Sequence, residues 1–522
     1  MLFSTLNPLL KSALLSQAII IEDLHTYLWR VSMLNKQRHI YTKEQVRSYE
    51  GEAAKQCGID LFALMQRAGE SVYKQWQSFN AKLTLIIAGN GNNAGDAYIA
   101  ARLIKDSGAE VKVCAIDPNK TLSGDAAKAR QLWLDNGGIV NEFAKSDLDC
   151  CDCVIDGLLG TGLNSPVREN YDVIITAINQ SEKPVLSIDV PSGIDANTGE
   201  VLGVAIQATK TLTYIGIKQG LCTGTGKQHA GELILDELAI EDTFSQLASP
   251  CAHLINIDSF NRLGSRALNS HKGNHGKLLC VGGNQGTAGA IRLSSEAALR
   301  AGAGMVQVYT HQSSIMPISI GRAELMVTSE NLEQALEWAS CVVLGPGLGQ
   351  DEWAKKTFCT VMHYCQEHNT PLVLDADALN LLAENASAYT LAQSVLTPHP
   401  GEAARLISKN TSEIESNRFD SVRLCAKRYN ATCILKGAGS LIDNGKNTWV
   451  CENGNAALAV GGSGDVLTGI IGALLAQGLS IDEAARYGVT LHARAGEVAA
   501  EEKGQRGMLP SDLFQIVRSL IN

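Results

Sequence analysis

Leu83-Thr84-Leu85-Ile86-Ile87-Ala88 runs straight into Gly89-Asn90-Gly91-Asn92-Asn93-Ala94-Gly95-Asp96. The first stretch is a nearly continuous apolar run and reads as a buried strand. The second reads as a loop that feeds a helix over 97–107, and the next strand follows over 111–116. Strand, loop, helix and strand in that order make the unit of a parallel sheet. In such sheets ligands sit beyond the carboxyl ends of the strands. The loops that follow strands are therefore where chemistry is expected.

Working outward, the alternation continues on both sides. Thr42-Lys43-Glu44-Gln45 opens a helix, with Thr42 as N-cap and Gln45 completing a capping box. A second helix lies near 61–77, and further strands are read at 153–155 and 185–189. After a junction at about 237–252, a second α/β series begins near Ile255. Its strands are read at 277–281, 306–309, 341–344, 371–375 and 433–436, with a helix at 288–301 and long helices at the C-terminal end. The two series show no internal repeat.

Length and composition fit this reading. At 522 residues the chain should hold more than one domain. Plentiful glycine (49 residues) with 5% aromatics suits many strand-to-helix turns. The net charge of −10 argues against nucleic acid or an anionic membrane surface as the main partner. No apolar run approaches the ~18 residues of a membrane span. Residues 1–35 differ from the rest and read as an extension, or as sequence upstream of a start at Met33. The 14 cysteines follow no disulfide framework, and Cys150-Cys151-Asp152-Cys153 has no second ligand pair for a metal. Reduced, mostly buried thiols in a cytoplasmic protein are expected.

In the first series three loops fall on one rim. They are Asn92–Asp96, Asp156-Gly157-Leu158-Leu159-Gly160-Thr161-Gly162, and Asp189-Val190-Pro191-Ser192-Gly193-Ile194-Asp195. They offer carboxylates, amide oxygens and a hydroxyl, without the spacing of a dinucleotide fingerprint. Such oxygen-rich loops suit a hard cation, held through Asn93, Asp156 and Ser192.

In the second series the corresponding loops are Gly345-Pro346-Gly347-Leu348-Gly349, Asp375-Ala376-Asp377, Thr397-Pro398-His399-Pro400-Gly401-Glu402 and Lys436-Gly437-Ala438-Gly439-Ser440. The two prolines flanking His399 restrict its backbone and point it to a ligand role. Last comes Gly461-Gly462-Ser463-Gly464-Asp465, opening an apolar helix. Glycines and a helix N-terminus make a phosphate cradle. A carboxylate on its lip is out of place for anion binding alone, but suits a base that takes a proton from an attacking hydroxyl.

These ordered motifs, spread over residues 40–520, resemble the bifunctional NAD(P)H-hydrate repair enzymes. The resemblance implies an α/β protein with an N-terminal Rossmann-like three-layer epimerase domain over 36–245. A C-terminal ribokinase-like α/β dehydratase domain is implied over 250–522. Position by position, it assigns hydrate contacts to Asn92, Asn93, Ala94, Gly95 and Asp96, to Gly160, Thr161, Gly162, Leu163, Asn164, Ser165 and Pro166, and to Asp189. Potassium ligands match Asn93, Asp156 and Ser192. In the second domain hydrate contacts match His399 and Asp465, with Ala290, Gly347 and Gly349. Adenine-nucleotide contacts match Lys436, Gly437, Ala438, Gly439, Ser440 and Gly464. Asp465 is the expected catalytic base, and Asp189 the expected acid/base of epimerisation. One departure is visible, since Ala94 and Ala97 replace glycines usual in the family and could tighten the first loop.

The implied reaction epimerises (R)- and (S)-NAD(P)HX and dehydrates the (S) form with ADP, giving AMP and phosphate. K⁺ is expected in the epimerase domain, and Mg²⁺ with the nucleotide on chemical grounds. A cytoplasmic homo-oligomer is also expected. Two rival readings remain open at this point: a ribokinase-like small-molecule kinase, and a non-catalytic Rossmann-like binding module fused to it.

Overall fold

The computed structural model of the chain describes residues 38–385 and 389–522. The extension expected over 1–35 lies outside them. Two sheets organise the described residues. The seven-stranded one is all parallel, in the order β4-β3-β2-β5-β6-β7-β9. Its strands are β2 (Leu83–Ala88), β3 (Glu110–Ala115), β4 (Val140–Glu142), β5 (Cys153–Gly157), β6 (Val185–Ile188), β7 (Lys210–Tyr214) and β9 (Glu232–Asp236). Both faces are covered. Along β2, Ile86 and Ala88 enter one apolar cluster while Leu85 and Ile87 enter another. A strand buried on both sides must be apolar at every step, which is why 83–88 shows no alternation.

The second sheet has twelve strands. Its parallel part is β13 (Met326–Thr328), β12 (Met305–Tyr309), β11 (Lys277–Val281), β14 (Cys341–Leu344), β15 (Leu372–Leu374), β16 (Ser394–Leu396) and β17 (Thr432–Leu435). Leu278 and Cys280 face one cluster, Leu279 and Val281 the other. An antiparallel hairpin follows, β18 (Leu441–Asp443) and β19 (Thr448–Cys451), turning through Asn444 to Asn447. The apolar pattern does not announce this hairpin, because its strands are three and four residues long.

The sheet then continues through three strands from earlier in the chain: β10 (Ala252–Ile255), β1 (Arg38–Tyr41) and β8 (Ile217–Lys218). β1 pairs antiparallel with β10 and parallel with β8, and β10 pairs parallel with β19. Two strands that precede the last strand of the small sheet therefore complete the large one.

Eight helices position the sites. They are α1 (Lys43–Gln56), α2 (Leu61–Trp76), α3 (Asn92–Asp106), α4 (Ala288–Arg300), α5 (Pro400–Ile407), α6 (Arg418–Tyr429), α7 (Ser463–Ala476) and α8 (Ile481–Lys503). α1 begins on the capping box of Thr42 and Gln45, as the sequence indicates. α3 begins earlier than read: Asn92–Asp96 form its first turn, not a loop. Ala94 and Ala97 send their methyl groups into the apolar cluster behind the helix, so they fill core instead of tightening a loop.

Close packing of α3 rests on glycine. A Cβ on Gly69 of α2 would lie 2.4 Å from the Cβ of Ile99 on α3. Gly69→Ala should therefore lower the unfolding free energy by about 1–3 kcal/mol through overpacking. Urea denaturation of the variant against the parent checks this.

Candidate active sites

The first site lies where the strand order of its sheet reverses, between β2 and β5, whereas the second gathers after β15, β16 and β17 of the larger sheet. Crevices open at such points beyond the strand ends.

In the first site, Asp156 ends β5 fully buried. Its carboxylate accepts from Ser187 Oγ (2.9 Å), Ser192 Oγ (2.5 Å) and the Ser192 N–H (2.9 Å). Burial raises its pKa, and these donors work against the rise. Ser192 Oγ also lies 3.2 Å from the Leu159 carbonyl, to which Asn93 Nδ2 donates at 2.9 Å. A bare Gly160 makes room for the Asn93 amide, because a Cβ there would come 2.5 Å from Asn93 Oδ1. The three expected cation ligands thus converge with a backbone carbonyl around a buried carboxylate met by neutral donors. That oxygen set fits a monovalent cation such as K⁺.

Asp189 follows β6 in a left-handed conformation, φ 63°. Its Oδ1 accepts from Lys218 Nζ (2.5 Å) and Thr213 Oγ1 (3.2 Å). Lys218 comes from β8, so the large sheet supplies the cation that faces the small sheet's acid. Asp96 is buried nearby, and its pKa rises well above the ordinary range through burial, with Asp189 and Glu50 adding to the effect. Glu50 of α1 is raised as well, first by burial. Asp189, paired with the Lys218 ammonium, and Asp96, whose carboxyl burial makes a weaker acid than usual, give the site two carboxyl groups in different surroundings.

Lys218, Glu50 and Lys43 escape sequence reading. Lys43 reaches Asn164 Oδ1 (2.7 Å), the Leu163 carbonyl (3.2 Å) and Asp195 (3.2 Å), tying α1 to the Gly160–Pro166 loop. Thr161 and Leu163 of that loop are half-buried, while Gly162, Asn164, Ser165 and Pro166 are exposed. Ala94 and Gly95 are buried and offer a substrate little surface.

The second site gathers around Lys436, directly after β17. Its Nζ donates to Asp375 Oδ1 at 2.8 Å and lies 3.8 Å from Glu402. Thr468 Oγ1 holds the other oxygen of Asp375 at 2.7 Å. Burial alone would raise Asp375, yet Lys436 and these donors leave it below its usual value. Glu402 and Asp465 are both pushed up to about 7, in each case by burial first. Asp375 adds to the rise at Asp465, while Lys436 opposes it.

Asp465 stands in the first turn of α7, whose N-cap Gly462 has φ 92°. Behind it, Ser463 Oγ meets His492 Nε2 of α8 at 3.2 Å. Burial lowers His492 to about 4, so it is neutral there. Gly464 lies directly over the ion pair: a Cβ would stand 3.2 Å from Lys436 Nζ and 3.7 Å from Asp375 Oδ2.

His399 is the N-cap of α5. Its Nδ1 accepts from the Gly401 N–H at 3.0 Å, and Glu402 caps back onto the His399 N–H at 2.8 Å. This reciprocal cap fixes the ring, and the neighbouring prolines only set the backbone. With Nδ1 accepting, the proton sits on Nε2. The Gly347–Gly349 turn joins the site through the Gly349 N–H, which donates to Asp377 at 2.8 Å. Ala290 lies one turn before Leu293 on α4, whose side chain would touch a Cβ at Gly462.

With this geometry described, comparison with known proteins is informative. Residues 278–519 match a family model described as NAD(P)H-hydrate dehydratase, and 61–220 match one described as YjeF-related protein N-terminus. The bifunctional NAD(P)H-hydrate repair enzyme of Escherichia coli is 41% identical over 489 residues, 92% of this chain and 94% of its own. The chain belongs to the bifunctional NAD(P)H-hydrate repair enzyme family. The Vibrio cholerae member is also 41% identical, over 93% of this chain and 98% of its own. Members in Leishmania braziliensis reach 36% over 93% of this chain and 94% of theirs. The family is named bifunctional, and in this chain the two matched regions lie on two α/β sheets.

Among the described residues, no group of three or more His, Cys, Asp or Glu could hold a metal by itself. Mg²⁺ in the second site of this repair enzyme would therefore come with nucleotide phosphates and water, its usual manner. All 14 cysteines are free and ten are buried. No helix of the described residues is long and apolar enough to cross a membrane.

The raised carboxylates set a pH dependence. A folded pKa near 7 means that Asp465 contributes stability fully below its unfolded value and loses it as pH rises through 7. Asp465→Asn should therefore gain in melting temperature relative to the parent between pH 5 and pH 8. Thermal melts of both proteins at the two pH values measure that difference.

Proposed function

We propose that the chain repairs hydrated nicotinamide cofactors: it epimerises (R)- and (S)-NAD(P)HX and dehydrates the (S) form with ADP. The carrying observation is Asp465. It is a carboxylate with a pKa near 7, at a helix N-terminus beside a half-buried lysine. A base needs a pKa near the working pH, and a phosphoryl group needs oriented positive charge. The 250–522 region would supply dehydration, and the 36–245 region epimerisation.

In dehydration the substrate hydroxyl on ring carbon 6 loses its proton to Asp465 as its oxygen attacks the terminal phosphoryl of ADP. The N–H groups opening α7 and the Lys436 ammonium meet the charge on that phosphoryl. AMP leaves. The C–O bond then breaks, pushed by the ring nitrogen lone pair, and releases phosphate; the iminium so formed loses a proton from ring carbon 5, which restores the reduced ring. His399, with Nε2 protonated and 3.5 Å from Glu402 Oε1, would be a donor to the substrate. Bound Mg²⁺ would supply further charge neutralisation at the phosphates.

In epimerisation a bond at carbon 6 must open and re-form on the other face. Both steps move a proton at the leaving atom. Asp189, paired with Lys218, takes that proton, and Asp96, whose carboxyl burial makes a weaker acid than usual, is the second carboxyl of the site. K⁺ held by Asn93, Asp156 and Ser192 would balance the buried Asp156 charge and fix the three loops. A cytoplasmic homo-oligomer belongs to this reading by the same family likeness.

Purified protein incubated with hydrated NADH and ADP should regenerate absorbance of the reduced ring. A stable phosphorylated product instead would favour the small-molecule kinase reading. Asp465→Asn should lower dehydration about 10²–10⁴-fold while ADP still binds by calorimetry. Asp189→Ala should lower epimerisation by a similar factor with dehydration of the (S) form retained. Chromatography of the two epimers over time checks the second variant, and a parent-like equilibration rate would remove Asp189 from the mechanism.

A further inference from the structure

The loop assigned to the nucleotide, Lys436–Ser440, is flexible by composition. Gly437 and Gly439 both hold positive φ, 147° and 62°. Something outside it must set its shape, and the structure shows what does. Thr223 and Gly224, which follow β8, reach across from the first unit. Thr223 Oγ1 lies 2.8 Å from the Gly439 carbonyl and 3.1 Å from the Ala438 carbonyl. The Gly224 N–H donates to the Ala438 carbonyl at 2.8 Å. Thr223 is fully buried, and a Cβ on Gly439 would lie 1.9 Å from the Cys222 carbonyl.

Arg418 of α6 completes the clasp. It is 2% exposed, and its Nε donates to Thr223 Oγ1 at 2.9 Å. One of its terminal nitrogens donates to the Lys436 carbonyl at 3.0 Å and sits 3.3 Å from the Leu435 carbonyl. The carbonyls of Lys436, Ala438 and Gly439 are thus held by the clasp, while that of Gly437 accepts from Ser440 Oγ within the loop. In a trans peptide the N–H points opposite to its C=O. Holding the Ala438 and Gly439 carbonyls therefore turns the N–H groups of Gly439 and Ser440 the other way, away from the clasp. Thr223 and Gly224 fall between the two matched regions, 61–220 and 278–519, so the clasp is a property of the joined chain.

We infer that Thr223 is a positioning residue for the nucleotide loop, so that the dehydratase site takes its ADP-binding shape from the epimerase side of the chain. The inference rests on the assignment of Lys436–Ser440 to the nucleotide. Its hydroxyl donates one bond to the loop and accepts one from Arg418. Loss of that donor should weaken ADP binding while leaving Asp465 chemistry alone.

The test is steady-state dehydration by the full chain with hydrated NADH, varying ADP. Thr223→Val should raise KM for ADP about tenfold with kcat within about twofold. Thr223→Ser, which keeps the hydroxyl, should restore the parent KM. Thr223→Ala leaves space for a water at Arg418 Nε and should behave as Val does. It stands in if the Val variant melts below the assay temperature. Ser440→Ala, inside the loop, reports on the assignment itself. If Ser440→Ala raises KM for ADP and the Val and Ala variants at 223 do not, the inference is overturned and the assignment stands. If none of them changes KM, both fall. A fall in kcat with KM unchanged, not rescued by serine, would mark Thr223 as structural only and overturn the inference too.

Discussion

Lys436 stands among Asp375, Glu402 and Asp465, and the second site depends on how one ammonium is shared among three carboxylates. Buried carboxylates cannot all keep their charge in low dielectric without a cation. Asp375 takes the direct bond and ionises, while Glu402 and Asp465 are pushed up to about 7. That unequal division leaves one carboxylate fixed as structure and another free to exchange a proton near neutrality. Thr468, one turn along α7 from Gly464, keeps Asp375 aimed at the lysine. The helix that carries the base therefore also anchors the group that tunes it.

The first site uses the same device with parts drawn from both sheets. Asp189 belongs to the loop after β6, and Lys218 to a two-residue strand of the larger sheet. Neither sheet contains the pair alone. A few residues further, the same segment closes on the nucleotide loop. The stretch from Lys218 to Gly224 thus contacts Asp189 in the first unit and the Lys436–Ser440 loop in the second.

The strand-end loops were legible because buried parallel strands are unbroken apolar runs and their following loops are rich in glycine and oxygen donors. Asn93 follows β2, Asp156 lies at the end of β5 and Ser192 follows β6, and the register of those neighbouring strands brings them together. The Gly461–Asp465 turn was legible as the opening of an apolar helix, and α7 does begin there, at Ser463. What escaped was whatever depends on pairing across the chain. Lys218 sits in a strand too short to show a period. Glu50 and Lys43 lie on α1, whose apolar face gives no hint of what its polar residues meet. The first turn of α3 was read as loop because Asn92, Asn93 and Gly95 are poor helix formers, and burial of Ala94 and Ala97 overrides that preference. His399 drew notice for its prolines, though a cap to Gly401 is what orients it.

The continuation of the large sheet through β10, β1 and β8 has a consequence for synthesis. The chain leaves the ribosome from its N-terminal end. β1 emerges early, yet its antiparallel partner β10 lies more than two hundred residues later, and β10 in turn waits for β19. Until then the nascent chain carries Arg38–Tyr41 with only the short β8 to pair with. An open strand edge is a hazard for aggregation, and brevity is one protection. β1 is four residues long and begins with arginine and histidine. The same arrangement means that the earliest strand among the described residues is among the last to be locked in place.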